Sequence, residues 1–138
     1  MFARILVGYD GSFEAQAALR LALELTRDDG RGRVTAVAVA HLPQAPATVG
    51  EVQEERQARE ARCRQWLAAA AAYAADCDTY TVIGRTGPAL VRAAAGQHAD
   101  LLVIGATRRR TAWARRLRPG KVPAVARDAP CPVLIAHR

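Results

Sequence analysis

The residues with chemical potential fall into two groups. The first is Gly8-Tyr9-Asp10-Gly11-Ser12, where an apolar run ends in a carboxylate, a glycine and the chain's only serine. The second begins at Gly105, after Leu101-Leu102-Val103-Ile104, and continues through Thr107, Arg108, Arg109, Arg110, Arg115, Arg116, Arg118, Gly120 and Lys121. Open α/β sheets bind ligands beyond the carboxyl ends of their strands. A glycine there lets a ligand approach the backbone, and arginine is the side chain best suited to bidentate phosphate contact. The chemistry implied is capture of an anion. Each residue also has a plainer reading: Asp10 as a turn former beside Gly11, Gly105 as a residue needing positive φ, and the arginines as a solvated loop.

Other chemistries find no support. Gly120-Lys121 matches the end of a P-loop, but Arg115 stands where its first glycine belongs and Val122 where Ser or Thr belongs. His41, His98 and His137 form no i, i+4 ligand pair, and Cys63, Cys77 and Cys131 lack metal-ligand spacing, so no metal site is expected. No Ser-His-Asp or Cys-His set can be assembled, so no catalytic residue is assigned. Trp113 among the arginines could stack on a base, but Pro119-Gly120 breaks any recognition helix, and nucleic acid is not the expected partner.

The elements that must position these groups follow from hydrophobic periodicity. Continuous apolar runs over 4–9, 34–40, 79–84, 101–105 and 131–136 predict five strands covered on both faces. Ser12 caps a helix to about Arg27, its inner face Ala15, Ala18, Leu19, Ala22 and Leu25. Thr48 and Glu51 have capping-box spacing, so a long helix starts near Gly50 and runs to about Ala75. Val52, Cys63, Trp66, Leu67, Ala70 and Tyr73 mark its inner side, and the charge-dense 51–64 projects into solvent. Pro88, at the first helical position, opens a third helix to about Gln97, and 122–127 forms a short last one. Alternating strands and helices imply one domain over 1–138: a three-layer α/β/α fold with a parallel sheet. An apolar last strand at a sheet edge would offer unpaired backbone groups to a second copy.

The bulk numbers agree. Of 138 residues, 51% are hydrophobic and 24% charged, which excludes disorder of the whole chain. The formal charge of +7 rests on 20 basic side chains, all but one of them Arg, and argues weakly for a polyanion. An odd cysteine count read as reduced thiols, and an N-terminus that enters a strand without signal-peptide features, point to the cytoplasm. No apolar run reaches the roughly 20 residues needed to cross a bilayer.

With the strands placed, the sequence resembles the universal stress protein family over nearly its whole length. The residues that carry the likeness are Ile5 to Ser12, Gly84 to Pro88, Ala99 to Gly105, and Ala129 to Ile135. The resemblance implies a five-stranded parallel sheet in the order 3-2-1-4-5. It also implies a homodimer formed by pairing the last strands, here through Val133, Leu134 and Ile135. Some members of the family bind ATP and others do not. Binders carry Gly-x-x-Gly, nine residues, then Gly-Ser or Gly-Thr, whose backbone N–H groups close on the phosphates. Gly105 fits the first position. Arg108 replaces the second glycine, eleven residues separate it from Gly120, and Lys121 replaces the hydroxyl residue. Asp10 matches the family carboxylate after strand one, with Gly8 and Tyr9 before it, and Val39 matches the strand-two contact. The reading is a non-catalytic stress-response regulator, at most a very slow ATP hydrolase. It would bind ATP or another adenine nucleotide through a modified phosphate loop. The alternative is an interaction protein whose basic loop, 108–121, docks a partner or polyanion.

Overall fold

A computed structural model of the chain describes residues 2–27, 30–41, 48–74, 77–106 and 121–137. The elements are β1 (Arg4–Gly8), α1 (Phe13–Arg27), β2 (Arg33–Ala40), α2 (Val49–Tyr73), β3 (Cys77–Ile83), α3 (Thr86–Gly96), β4 (Leu101–Ala106), α4 (Lys121–Asp128) and β5 (Val133–His137). All neighbouring strands pair in parallel, and the sheet order is β3-β2-β1-β4-β5. The five-stranded parallel α/β sheet expected from the apolar runs is the one observed.

The sheet buries both faces, which is why its strands read as apolar runs rather than as alternations. Ile5, Val7, Val34, Ala36, Ala38, Leu101 and Val103 face α1 and α2. Leu6, Val37, Leu102 and Ile104 face the other way, against Leu90, Ala93 and Ala94 of α3 and Val125 of α4. Asp100 ties the starts of the two central strands together. Its Oδ2 accepts from the Ala3 N–H at 2.7 Å and its Oδ1 from the Arg4 N–H at 3.0 Å.

Local signals set the starts of the first two helices. Ser12 Oγ accepts from the Ala15 N–H at 3.1 Å and caps α1. Thr48 Oγ1 accepts from the Glu51 N–H at 3.2 Å, and Glu51 Oε2 accepts from the Thr48 N–H at 3.0 Å, completing the capping box. In α2 only Cys63, Leu67 and Ala70 are buried, so its charged first half stands clear of the core. Arg56–Glu60 and Arg59–Glu55 ion pairs lace that half at i, i+4 spacing.

Several expectations need correction. Leu25 is exposed, and Thr26 takes the buried place with its hydroxyl donating to the Leu23 carbonyl at 3.0 Å. Tyr73 is exposed too, its phenol oxygen accepting from Arg20 Nε at 3.2 Å. Helix α3 begins at Thr86 with Arg85 as an N-cap that makes no side-chain bond, which puts Pro88 third rather than first. Proline is tolerated there because a first-turn N–H has no intrahelical partner to lose. Strand β3 starts two residues earlier than expected, at Cys77, and β5 two later, at Val133. The Pro132 carbonyl still accepts from Leu102, so Cys131-Pro132 leads the chain in without belonging to the strand.

Gly105 has a packing reason to be glycine. It faces α1, and a Cβ there would overlap the carbonyl group of Glu14 and stand 2.8 Å from the Glu14 Cβ. It is not among the positive-φ glycines, which are Gly11, Gly30 and Gly84 among the described residues. Gly105→Ala is therefore expected to lower stability by about 1–3 kcal/mol, as overpacking does. Gly96→Ala, with nothing within 4 Å of the added methyl, should be neutral or stabilising in a helix. Urea unfolding of the two variants checks the contrast; equal effects would mean α1 yields at Gly105.

A second expectation concerns pH. Burial is the main cause that raises the thiol pKa of Cys63, helped by Glu60, and that of Cys77, against a backbone hydrogen bond from Ala36 that lowers it. Burial, then the charges of Asp10 and Cys77, raises Tyr9. An acid whose folded value lies above its unfolded one contributes stability below the unfolded value and loses it as pH rises through the folded one. Urea stability should thus hold at neutral pH and fall once pH passes the ordinary thiol value of 9.0. The fall should be smaller in Cys63→Ala and Cys77→Ala; a flat profile into that range would contradict it.

Candidate functional site

The carboxyl ends of β1 and β4 meet at the topological switch point. Chain order leaves β1 for β2 on one side and crosses to β4 on the other, which opens a crevice between the two strand ends. The last β1–β4 pair is Val7 with Val103. Two residues further on, each chain reaches a candidate residue, Tyr9 on one side and Gly105 on the other.

Asp10 is exposed at this point. Its Oδ1 accepts from the Ser12 N–H at 3.0 Å, which makes the turn into α1. Both readings of Asp10 therefore survive in one side chain. One oxygen serves the turn, and Oδ2 has no hydrogen bond among the described residues. Gly11 completes the turn at φ +77°, a conformation that favours glycine. Space demands glycine as well, because a Cβ there would stand 2.5 Å from Cδ1 and 2.8 Å from Nε1 of Trp66.

The other proposed residues divide by face. Gly8 lies on the α3 side, where a Cβ would stand 3.2 Å from Leu90 Cδ1 and 3.4 Å from Ile104 Cγ2. Val39 is half-buried on the same side. The Tyr9 ring goes the other way, into the α1–α2 core, and is only 6% exposed. Its N–H is committed to the Val37 carbonyl at 2.8 Å. The Tyr9 phenol is thus held in the core and not presented to anything bound above the strand ends. Thr107, Arg108 and Gly120 lie outside the described residues, and Lys121 is placed as the first residue of α4. Val133, Leu134 and Ile135 lie on β5, an edge strand, all partly exposed.

Two residues at the crevice were not singled out from the sequence. Thr86, at the start of α3, shares a hydrogen bond with the exposed His41 at the end of β2, Oγ1 to Nε2 at 2.8 Å. This contact joins the segments that follow β2 and β3 and gives His41 a structural partner. Trp66, expected on the inner face of α2, also carries the Gly11 turn. Cys63, one turn before Trp66, is still buried in the core, so the exposed part of α2 is the stretch nearer Val49. The sequence signal for both residues was only positional: a hydroxyl just after the β3 turn and an indole at helical spacing.

Chemically, the described part of the site offers an exposed carboxylate with one oxygen outside the turn and a half-buried valine. That combination suits the polar edge and apolar face of a small planar ligand. Among the described residues no group of three or more His, Cys, Asp or Glu could hold a metal ion. No helix among them is long and apolar enough to cross a membrane.

The comparisons agree with this geometry. The model of the universal stress protein family matches residues 1–137. A search of curated proteins gives no match. Among solved structures, the universal stress protein UspA from Lactobacillus plantarum superposes with a TM-score of 0.79 at 22% identity, covering 97% of each chain. A universal stress protein in complex with cAMP gives 0.69 at 24% identity over 99% of this chain and 97% of its own. A family protein from Arabidopsis thaliana with AMP bound gives 0.65 at 17% identity over 99% and 92%. At these identities the structures establish the fold, and the match along almost the full length places the chain in the universal stress protein family.

Proposed function

We propose that this protein is a non-catalytic regulator in stress response that binds an adenine nucleotide at the carboxyl ends of β1 and β4. The observation that carries the reading is the free Oδ2 of Asp10, held at the switch point by a turn that its own Oδ1 builds. In this reading Asp10 accepts hydrogen bonds from the ribose, and Val39 and the backbone at Gly8 and Tyr9 face the adenine. The phosphates lie toward Gly105, Thr107, Arg108, Gly120 and Lys121. Similar folds whose structures hold cAMP or AMP support the ligand class. The loop after β4 departs from the usual glycine pattern, so cationic side chains take over what backbone N–H groups do elsewhere. The protein acts in the cytoplasm, where its thiols stay reduced, and pairs with a second copy through β5.

The same departure favours a second reading, in which no nucleotide is held and the basic loop at 108–121 docks a protein partner or a polyanion.

Calorimetric titration with ATP, AMP and cAMP decides between them. Asp10→Asn keeps an oxygen for the Ser12 turn but removes the charge, so it should fold normally and bind about 10–100-fold more weakly, the loss of a charge-assisted hydrogen bond. Arg108→Ala with Lys121→Ala should weaken ATP more than AMP, because only the outer phosphates lose a partner. No heat with any of the three at millimolar ligand rejects the nucleotide reading and leaves the docking one.

A further inference from the structure

Strand β3 is the other edge of the sheet, and its outer side is left open. The Gly84 N–H donates to the Ala40 carbonyl of β2 at 3.0 Å. Backbone groups alternate sides along a strand, so Asp78, Tyr80 and Val82 also turn their N–H and C=O toward β2. Thr79, Thr81 and Ile83 turn theirs outward. Edge strands normally blunt this hazard with lysine, proline or a bulge. The run Cys77-Asp-Thr-Tyr-Thr-Val-Ile83 has none of the first two, and it pairs with β2 without interruption from Cys77 to Ile83.

The α3 side of this strand is only partly covered, with Val82 packed against the core and Tyr80 beyond it. Helix α3 packs on β2 and α4 more than on β3. A groove of about 490 Å³ remains, lined along β3 by Tyr80, Val82 and Ile83 and along α3 by Ala89, Arg92 and Ala93. Tyr80 is 48% exposed. One charge, Arg92, lines the groove, and an opposite one, Asp78, lies further along the strand in a neighbouring hollow that Arg4 and Arg33 also line. Arg92 reaches the carboxyl end of β3, where its Nη2 lies 3.0 Å from the position a Cβ on Gly84 would take. Asp78 lies near the amino end, on the same face as Tyr80 and Val82 by strand alternation. Neither side chain has a hydrogen bond or ion pair among the described residues.

We infer that the β3 edge pairs antiparallel with the β3 edge of a second copy, about a two-fold axis at Tyr80. This register sets Thr79 opposite Thr81 of the other copy, and these are the residues whose backbone groups face outward. It sets Asp78 opposite Val82, which brings the carboxylate of each copy to the groove that holds Arg92 of the other. The two-fold makes this ion pair twice, and the two grooves merge around the central tyrosines. An isologous contact has to be self-complementary, and Asp78 with Arg92 meets that requirement. The inference is independent of nucleotide binding and of pairing through β5.

Light scattering on the purified full chain tests it, with circular dichroism confirming that each variant is folded. Thr81→Pro removes an outward N–H at an edge, where proline is tolerated, and should lower the mass of the wild-type assembly, to the monomer if β3 is the sole contact and to the β5 dimer if both edges pair. Asp78→Arg and Arg92→Glu should each do the same, since each sets like charges face to face. Mixing those two variants in equal amounts should restore the pair, because an Asp78→Arg copy and an Arg92→Glu copy are complementary at both ends. Ile135→Pro, which removes an outward N–H of β5, should leave the β3 pair in place. The inference is overturned by a monomeric wild type, including one that takes up an acidic peptide at this edge instead. It is also overturned if the mass is unchanged by all three β3-edge variants, or if the mixture fails to recover. Should Thr81→Pro not fold, the charge reversals and their mixture decide alone.

Discussion

Two glycines at the carboxyl ends of the central strands govern how the helices sit. Gly105 faces α1 and leaves no space for a side chain, because the first turn of that helix lies directly on it at Glu14. Gly8 faces the opposite way, and the Leu90 side chain of α3 occupies the notch it leaves. Interiors pack as densely as organic crystals, so a helix cannot retreat from such a notch without opening a void. The first contact fixes the entry of α1, and with it the Asp10–Ser12 turn that the Ser12 cap joins to the helix. The second draws α3 toward the middle of the sheet. What the candidate site offers a ligand is therefore a consequence of packing on both faces of the strands beneath it.

This changes what a glycine at a strand end signifies. Close approach of a ligand and positive φ are the usual reasons to expect one. At Gly105 the close approach is by the protein's own backbone. The residue still borders the crevice, but its type is already accounted for without a ligand. Asp10 is the opposite case. Its turn-forming role uses one oxygen and leaves the second without a hydrogen bond among the described residues, so the ordinary explanation does not exhaust the side chain. The weight of the nucleotide reading rests on Asp10 more than on Gly105.

How much was readable in sequence follows from which forces were local. Burial on both faces leaves a continuous apolar run, and the five runs sufficed for the strands, their parallel pairing and, through the family likeness, their order. Capping is local too, and Thr48 with Glu51 and Ser12 before Ala15 acted as their spacing implied. Failures occur where helix phase or a tertiary contact outweighs residue type. The buried stripe Ala15, Ala18, Leu19, Ala22 continues by four residues to Thr26 and not by three to Leu25, and the Leu23 carbonyl accepts the Thr26 hydroxyl that this buries. Tyr73 lies at the right spacing but near the end of α2, where a phenol reaches solvent and Arg20 instead of core. At the site, Asp10 and Val39 were legible by position. The bond between Thr86 and His41, and the indole against Gly11, join residues 45 and 55 positions apart in the chain. No periodicity carries that information.

The same packing explains why the two edges of the sheet are unlike. On the β5 side, Pro130 and Pro132 precede a five-residue strand, so the edge is short and its approach is stiffened by proline. On the β3 side nothing comparable intervenes, and the strand is seven residues long. A helix centred over β2 and β3 would have covered Tyr80 as well as Val82. Helix α3 cannot take that place while Leu90 is seated in the notch at Gly8, so the outermost strip of that face is left to solvent. The exposed strip at β3 and the close packing at β1 are thus two ends of one displacement. A substitution that filled the notch at Gly8 would push α3 outward and begin to close the groove in which Arg92 stands.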